Sequence, residues 1–68
     1  MQNFLNEAQK TEQELADELR LIARAKRALK LYLNMSEAAA HRYIEKRAVD
    51  MRTTKNEVAK NILKTYEP

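Results

Sequence analysis

Two interleaved seven-residue series run from near the start of this chain to its middle. Leu5, Glu12, Leu19, Lys26 and Leu33 form one, and Ala8, Leu15, Ile22 and Leu29 form the other, offset by three. Paired series of this kind are the a and d positions of a heptad repeat, here held for about four heptads, and they require an α-helix that covers its apolar seam with another helix. Before residue 20 the stripe is narrow, so that part of the helix can bury itself only along a thin line. A coiled-coil dimer, parallel or antiparallel, is the predicted arrangement. Its dimerisation residues are Leu5, Ala8, Leu15, Leu19, Ile22, Leu29 and Leu33. Glu12 and Lys26 weaken the seam, and fix register and partner orientation as polar residues at such positions do.

After residue 20 the same helix gains a second apolar face. Leu21, Ala25, Ala28 and Tyr32 lie about 80–100° around from Ile22 and Leu29, which leaves one face for dimerisation and the other for a bundle. Leu31 faces away from both. Asn34 and Met35 break the periodicity, and Ser36 is a good N-cap followed by Glu37, whose charge suits the positive end of a helix. A second helix is predicted over Glu37 to Met51, with Ala40, Tyr43, Ile44, Ala48 and Met51 on its core face. His41, Glu45 and Arg52 run along one edge, Arg42 and Lys46 point away, and Arg47 and Asp50 at the other edge are spaced for a helical ion pair. Thr54 and Glu57 have the spacing of a capping box, so a third helix starts there and buries Val58, Ala59, Ile62, Leu63 and Tyr66. The small side chains of Ala40, Ala48 and Ala59 let short helices approach closely. The predicted fold is an all-α three-helix bundle with a long N-terminal coiled-coil helix, dimeric, with a stalk over 1–20 and the bundle over 21–68.

At 68 residues, with no cysteine, the chain holds one small core and no covalent staple, which again favours oligomerisation. No apolar run reaches the roughly 18–20 residues of a membrane span, so a soluble cytoplasmic protein is expected. The net charge of +3 hides an asymmetry, since residues 1–19 carry about −4 and residues 20–68 about +7. Arg20, Arg24, Lys26, Arg27 and Lys30 fall in eleven positions without an acid, a local excess that attracts polyanions. One histidine, no cysteine and no glycine-rich phosphate loop make a nucleophile with a positioned base hard to assemble, so neither catalysis nor a cofactor or metal is expected.

The order Ala25-Lys26, Ala28-Leu29, Ser36-Glu37, Ala40, His41-Arg42-Tyr43-Ile44, Ala48, Arg52 and Val58-Ala59 resembles the ANTAR domain, the output module of transcription antitermination regulators. The likeness covers about residues 22–63. No single element is specific; this order at these spacings across two helix junctions is. The resemblance implies a three-helix RNA-binding domain on a coiled-coil stalk, working as a dimer on leader RNA. Family members hold two small hexaloop hairpins, matched one to one by the dimer, and so keep an overlapping terminator from forming. Most relatives also carry a receiver or sensor domain, and nothing before the stalk here is expected to fold as one. Lys55 stands where many relatives have an apolar residue.

Unpaired loop bases are read by stacking and edge hydrogen bonds while Lys and Arg hold phosphates. The candidate RNA-binding residues are therefore Lys26, Arg27, Lys30, Ser36, Glu37, His41, Arg42, Lys46, Arg52 and Lys55. The family match favours Lys26 and Arg52 among the phosphate contacts. Tyr43 and Tyr32 fall on apolar faces and are expected in the core rather than under bases. Two other readings stand beside this one: a dimerisation or adaptor module whose coiled coil is its whole function, and a helix-turn-helix DNA-binding regulator. The last is weakened by a turn without glycine between the second and third helices.

Overall fold

Each helix among the described residues starts on a hydroxyl side chain. The computed structural model describes residues 11–67, which form α1 (Glu12–Leu33), α2 (Glu37–Asp50) and α3 (Lys55–Tyr66). Thr11, Ser36 and Thr54 are the N-caps, each in extended conformation, accepting from the backbone amides of Glu14, Ala39 and Glu57 at 3.1 Å. A cap of this type contributes about 1 kcal/mol. At Thr11 the box is reciprocal, because the Glu14 carboxylate accepts from the Thr11 amide at 3.1 Å. At Thr54, where the sequence predicts the same device, only half forms: the Glu57 carboxylate accepts from Lys60 Nζ at 3.2 Å instead.

The helix ends are made without glycine. Asn34 closes α1 at φ 56°, its amide donating to the Leu29 carbonyl. Past α2, Arg52 takes φ 53° while its amide donates to Val49 and that of Thr53 to Ala48, at 3.1 and 2.9 Å. This is the Schellman pattern, which satisfies the last free carbonyls of a helix. Asparagine adopts the left-handed region readily, whereas for arginine it costs roughly 1–2 kcal/mol. Arg52 therefore lies in the turn and not on an α2 edge. Met51, predicted on the α2 core face, is the C-cap (φ −94°, ψ 1°) and is 51% exposed, because the chain leaves the helix there.

Among the described residues ten make the buried core: Ala25, Ala28 and Leu29 from α1, Ala40, Ile44 and Ala48 from α2, and Val58, Ala59, Ile62 and Leu63 from α3. Half of them are alanines, so the helices meet with little side chain between them. Leu21, Ile22, Met35, Tyr43 and Tyr66 pack around this centre. α1 and α3 run in the same direction: Leu21 and Lys60 line one shallow groove, and further along Arg24 reaches Glu67 at 3.8 Å and Tyr32 stacks on Tyr66. The two rings are 5.5 Å apart and inclined by 12°. Tyr32, predicted to pack the bundle, is thus a half-exposed lid on its end.

The seam divides differently from its sequence reading. Leu29 is fully buried inside the protomer, so it belongs to the bundle and has no surface left for a second chain. Ile22 is half-buried against the same core. Leu15, Leu19 and Leu33 stay exposed, whereas Leu5 and Ala8 lie outside the described residues. Arg47 does not pair with Asp50; its guanidinium lies over the Tyr43 ring, 5.8 Å from the centroid. No helix among the described residues is long and apolar enough to cross a membrane.

A core built on alanine has no room for larger side chains. Ala59→Leu is expected to lower the unfolding free energy by about 1–3 kcal/mol through overpacking. Chemical denaturation checks this, and an unchanged midpoint would show that α3 is free to move away from α1.

Candidate nucleic-acid interface

The site grows from the α1–α2 junction. Asn34 turns the chain, Ser36 caps α2, and Glu37 becomes its first residue, facing the last turns of α1. Its carboxylate accepts from Lys30 Nζ at 2.7 Å and from Lys26 Nζ at 3.4 Å. Lys26 and Lys30 are four apart and so share one α1 face. Lys26 is only 22% exposed, so its stem lies along the bundle and its amine is turned toward Glu37. The Lys26 of the seam reading is thus an inter-helix ion-pair residue within one protomer.

From Glu37 the charges continue along α2. His41 and Glu45 follow at four-residue steps on the same edge, with His41 Nε2 3.3 Å from Glu45 Oε2. Glu45 also faces Lys55 Nζ at 3.8 Å, across the turn at the start of α3. A single edge thereby links all three helices through Lys26, Lys30, Glu37, His41, Glu45 and Lys55. Each acid on it serves two bases. The charge of Lys55 is faced here by Glu45.

The other candidates do not join this edge. Arg27 lies with Arg24, Leu31 and Glu67 on another face of α1, whereas Lys46 lies with Tyr43, Arg47 and Asp50 on the far flank of α2. Arg42 is exposed on the outer face of α2, and Arg52 is exposed in the left-handed turn. None of Arg27, Arg42, Lys46 and Arg52 makes an ion pair among the described residues. Ser36 spends its hydroxyl as an acceptor for the Ala39 amide and keeps its proton to donate.

Three features were not read from the sequence. Glu45 gave no signal beyond its place on an edge, because its second partner comes from another helix. The Tyr32–Tyr66 stack depends on the parallel run of α1 and α3. Between α2 and α3, on the flank away from Glu37, lies an open groove of about 240 Å³ lined by Tyr43, Arg47, Met51, Asn61, Thr65 and Tyr66 among others. Among the described residues no group of acids and histidine is placed to hold a metal ion.

The hydrogen bond from Lys30, followed by that from Lys26, holds the Glu37 carboxyl below the ordinary glutamate range. A carboxyl whose pKa is lowered on folding adds stability above its unfolded pKa and loses it as the pH falls through the folded one. Glu37 is well exposed, so salt screens this contribution. In an NMR titration the Glu37 carboxyl is expected to titrate below the ordinary value of 4.5. Lys30→Ala should move it upward by more than Lys26→Ala does. A midpoint that neither variant shifts would mean that the junction pairs do not persist in solution.

The ANTAR domain profile matches residues 9–63, nearly the whole chain and all three helix starts. No curated protein and no solved structure matches this chain. Three helices without a strand among the described residues, packed with their charged edge across both junctions, are in keeping with that match. The chain belongs to the ANTAR domain family, the RNA-binding modules of transcription antitermination regulators.

Proposed function

We propose that the protein is a dimeric antiterminator that holds two hexaloop hairpins of a leader RNA, one on each protomer, and so keeps the overlapping terminator hairpin from forming. The family match over residues 9–63 carries this reading. The edge from Lys26 to Lys55 supports it, because it offers cations, an imidazole and carboxylate acceptors on one side of the bundle. RNA loops are recognised by that mixture: ammonium and guanidinium groups on phosphates, rings on unstacked bases, and acceptors on base amino groups.

In this reading Lys26, Lys30 and Lys55 place the backbone of the loop, and His41 stacks on or bonds to a base. Ser36 and Glu37 contact base edges at the junction. Arg27, Arg42, Lys46 and Arg52 attract the flanking stems. The left-handed Arg52 fits this role, since backbone strain at a non-glycine residue is tolerated where its side chain is used. Holding a hairpin needs neither a covalent step nor a cofactor. The partners are the leader RNA, a second copy of the chain, and the sensor or receiver domain that other family members carry, and the setting is the cytoplasm.

Dimerisation is assigned to the exposed leucines at the start of α1, Leu15 and Leu19, with Leu33 at its other end. Large apolar side chains at heptad spacing on an open helix face call for a second helix. Sedimentation should find a dimer at micromolar concentration, and Leu19→Glu should give a monomer of unchanged helix content. A wild-type monomer would contradict the two-to-two arrangement.

RNA recognition is tested by salt-dependent titration with a two-hairpin leader RNA, a single-hairpin RNA and duplex DNA. The two-hairpin RNA should bind most tightly. Lys26→Ala and Arg52→Ala should each weaken it and lower the salt slope by about 0.7–0.9 for each phosphate the variant no longer holds. Equal binding of all three ligands with a steep salt slope would reduce the edge to a general electrostatic patch and leave dimerisation as the function.

A further inference from the structure

We infer that Glu37 sets specificity by restraint: it keeps the ammonium groups of Lys26 and Lys30 engaged, so that a ligand offering phosphate alone binds poorly at this edge. The inference rests on the RNA-binding reading above and names how that site rejects unspecific polyanions.

The geometry is that of a shared counter-ion. One carboxylate stands 2.7 Å from Lys30 Nζ and 3.4 Å from Lys26 Nζ, and it is itself 62% exposed, open to whatever reaches the lysines. The three groups together carry one positive charge where the lysines alone would carry two. A phosphate oxygen approaching either amine meets the carboxylate as a rival acceptor and as a like charge. The two lysines keep Glu37 ionised well into mild acid, so the rivalry holds throughout the neutral range. A base edge is treated differently. An ionised carboxylate is an acceptor only, so amino or imino groups of an unpaired base gain a hydrogen bond from Glu37 that a phosphate cannot make. The same residue repels the part of RNA common to all sequences and accepts the part that differs between them.

Restraint has a size. One unit charge at about 4 Å in water is worth about 1 kcal/mol, which corresponds to about fivefold in affinity. Glu37→Gln removes the charge and keeps the shape, and the cap of α2 comes from Ser36, so the variant should fold; thermal melting checks this, with Glu37→Ser as a second variant expected to act in the same direction. The probe is an abasic oligonucleotide of about 20 phosphates, which offers no base edge, compared with the two-hairpin RNA over a range of salt. Asp50→Asn is the control, because it makes the same change in net charge at a residue that pairs with neither lysine.

With Glu37→Gln, the abasic oligonucleotide should bind about fivefold more tightly, and its salt slope should steepen by about 0.7 for each additional phosphate held. The two-hairpin RNA should gain less, so the preference narrows. Asp50→Asn should leave binding of the abasic oligonucleotide within about twofold. Most of the gain should be lost when Glu37→Gln is made in a Lys26→Ala, Lys30→Ala background, where only direct like-charge repulsion is left to relieve, and this isolates the coupling of the three residues. An unchanged affinity and slope, an equal gain from Asp50→Asn, or a gain undiminished by removal of the lysines would each overturn the inference. Failure of the RNA-binding reading looks different: the wild-type chain would then not prefer the two-hairpin RNA, while the abasic arm would still read the restraint.

Discussion

The short side chains at the centre of the bundle govern the rest of the structure. Ala25 and Ala28 on α1, Ala40 and Ala48 on α2 and Ala59 on α3 are all buried, and they let three helices of modest length share a core with only a few larger side chains between them. Close approach of the helices brings their polar edges close as well. The last turns of α1 then lie within ion-pair distance of the first residue of α2, and Glu45 within reach of the start of α3. With bulkier residues at the centre these charges would be solvated separately. The charged edge is therefore a product of the packing, and the caps at Ser36 and Thr54 fix where along it each helix begins.

A net charge of +3 says little about what the surface offers. Glu37 and Glu45 each draw two bases to themselves, whereas Arg27, Arg42, Lys46 and Arg52 pair with no acid among the described residues. The surface is therefore graded, with guanidinium and ammonium groups open to outside partners around an edge in which acids and bases alternate. Such a surface attracts a polyanion at a distance and makes contact selective, because long-range attraction depends on summed charge and close contact on the placement of individual donors and acceptors.

Much of this was legible from the residues. Ser36 and Thr54 marked two helix starts correctly, and the apolar spacing of Ala40, Ile44 and Ala48 and of Val58, Ala59, Ile62 and Leu63 gave the core faces of α2 and α3. The heptad was harder to read, because the same three- and four-residue spacing serves a seam between chains and a core within one chain. Leu29 satisfies both patterns, and only its contact with α2 and α3 decides that it is internal. Thr11 and Glu14, a full capping box, went unread because the heptad runs through them without a break. The end of α2 was misplaced by a residue for want of a glycine: Arg52 fills the left-handed position that glycine would have announced. At the site, the lysines were visible as charges, but their pairing with Glu37 spans seven and eleven residues and comes from tertiary structure.

The edge running from Lys26 through Glu37 and His41 to Lys55 is, in the proposed function, where RNA is held. Chemical-shift mapping of the backbone and side-chain signals during addition of a two-hairpin leader RNA tests this most directly. The largest changes are expected at Lys26, Lys30, Ser36, Glu37, His41 and Lys55, with small ones in the groove of Tyr43, Arg47 and Thr65. Changes centred on that groove, with the Glu37 edge left undisturbed, would contradict it.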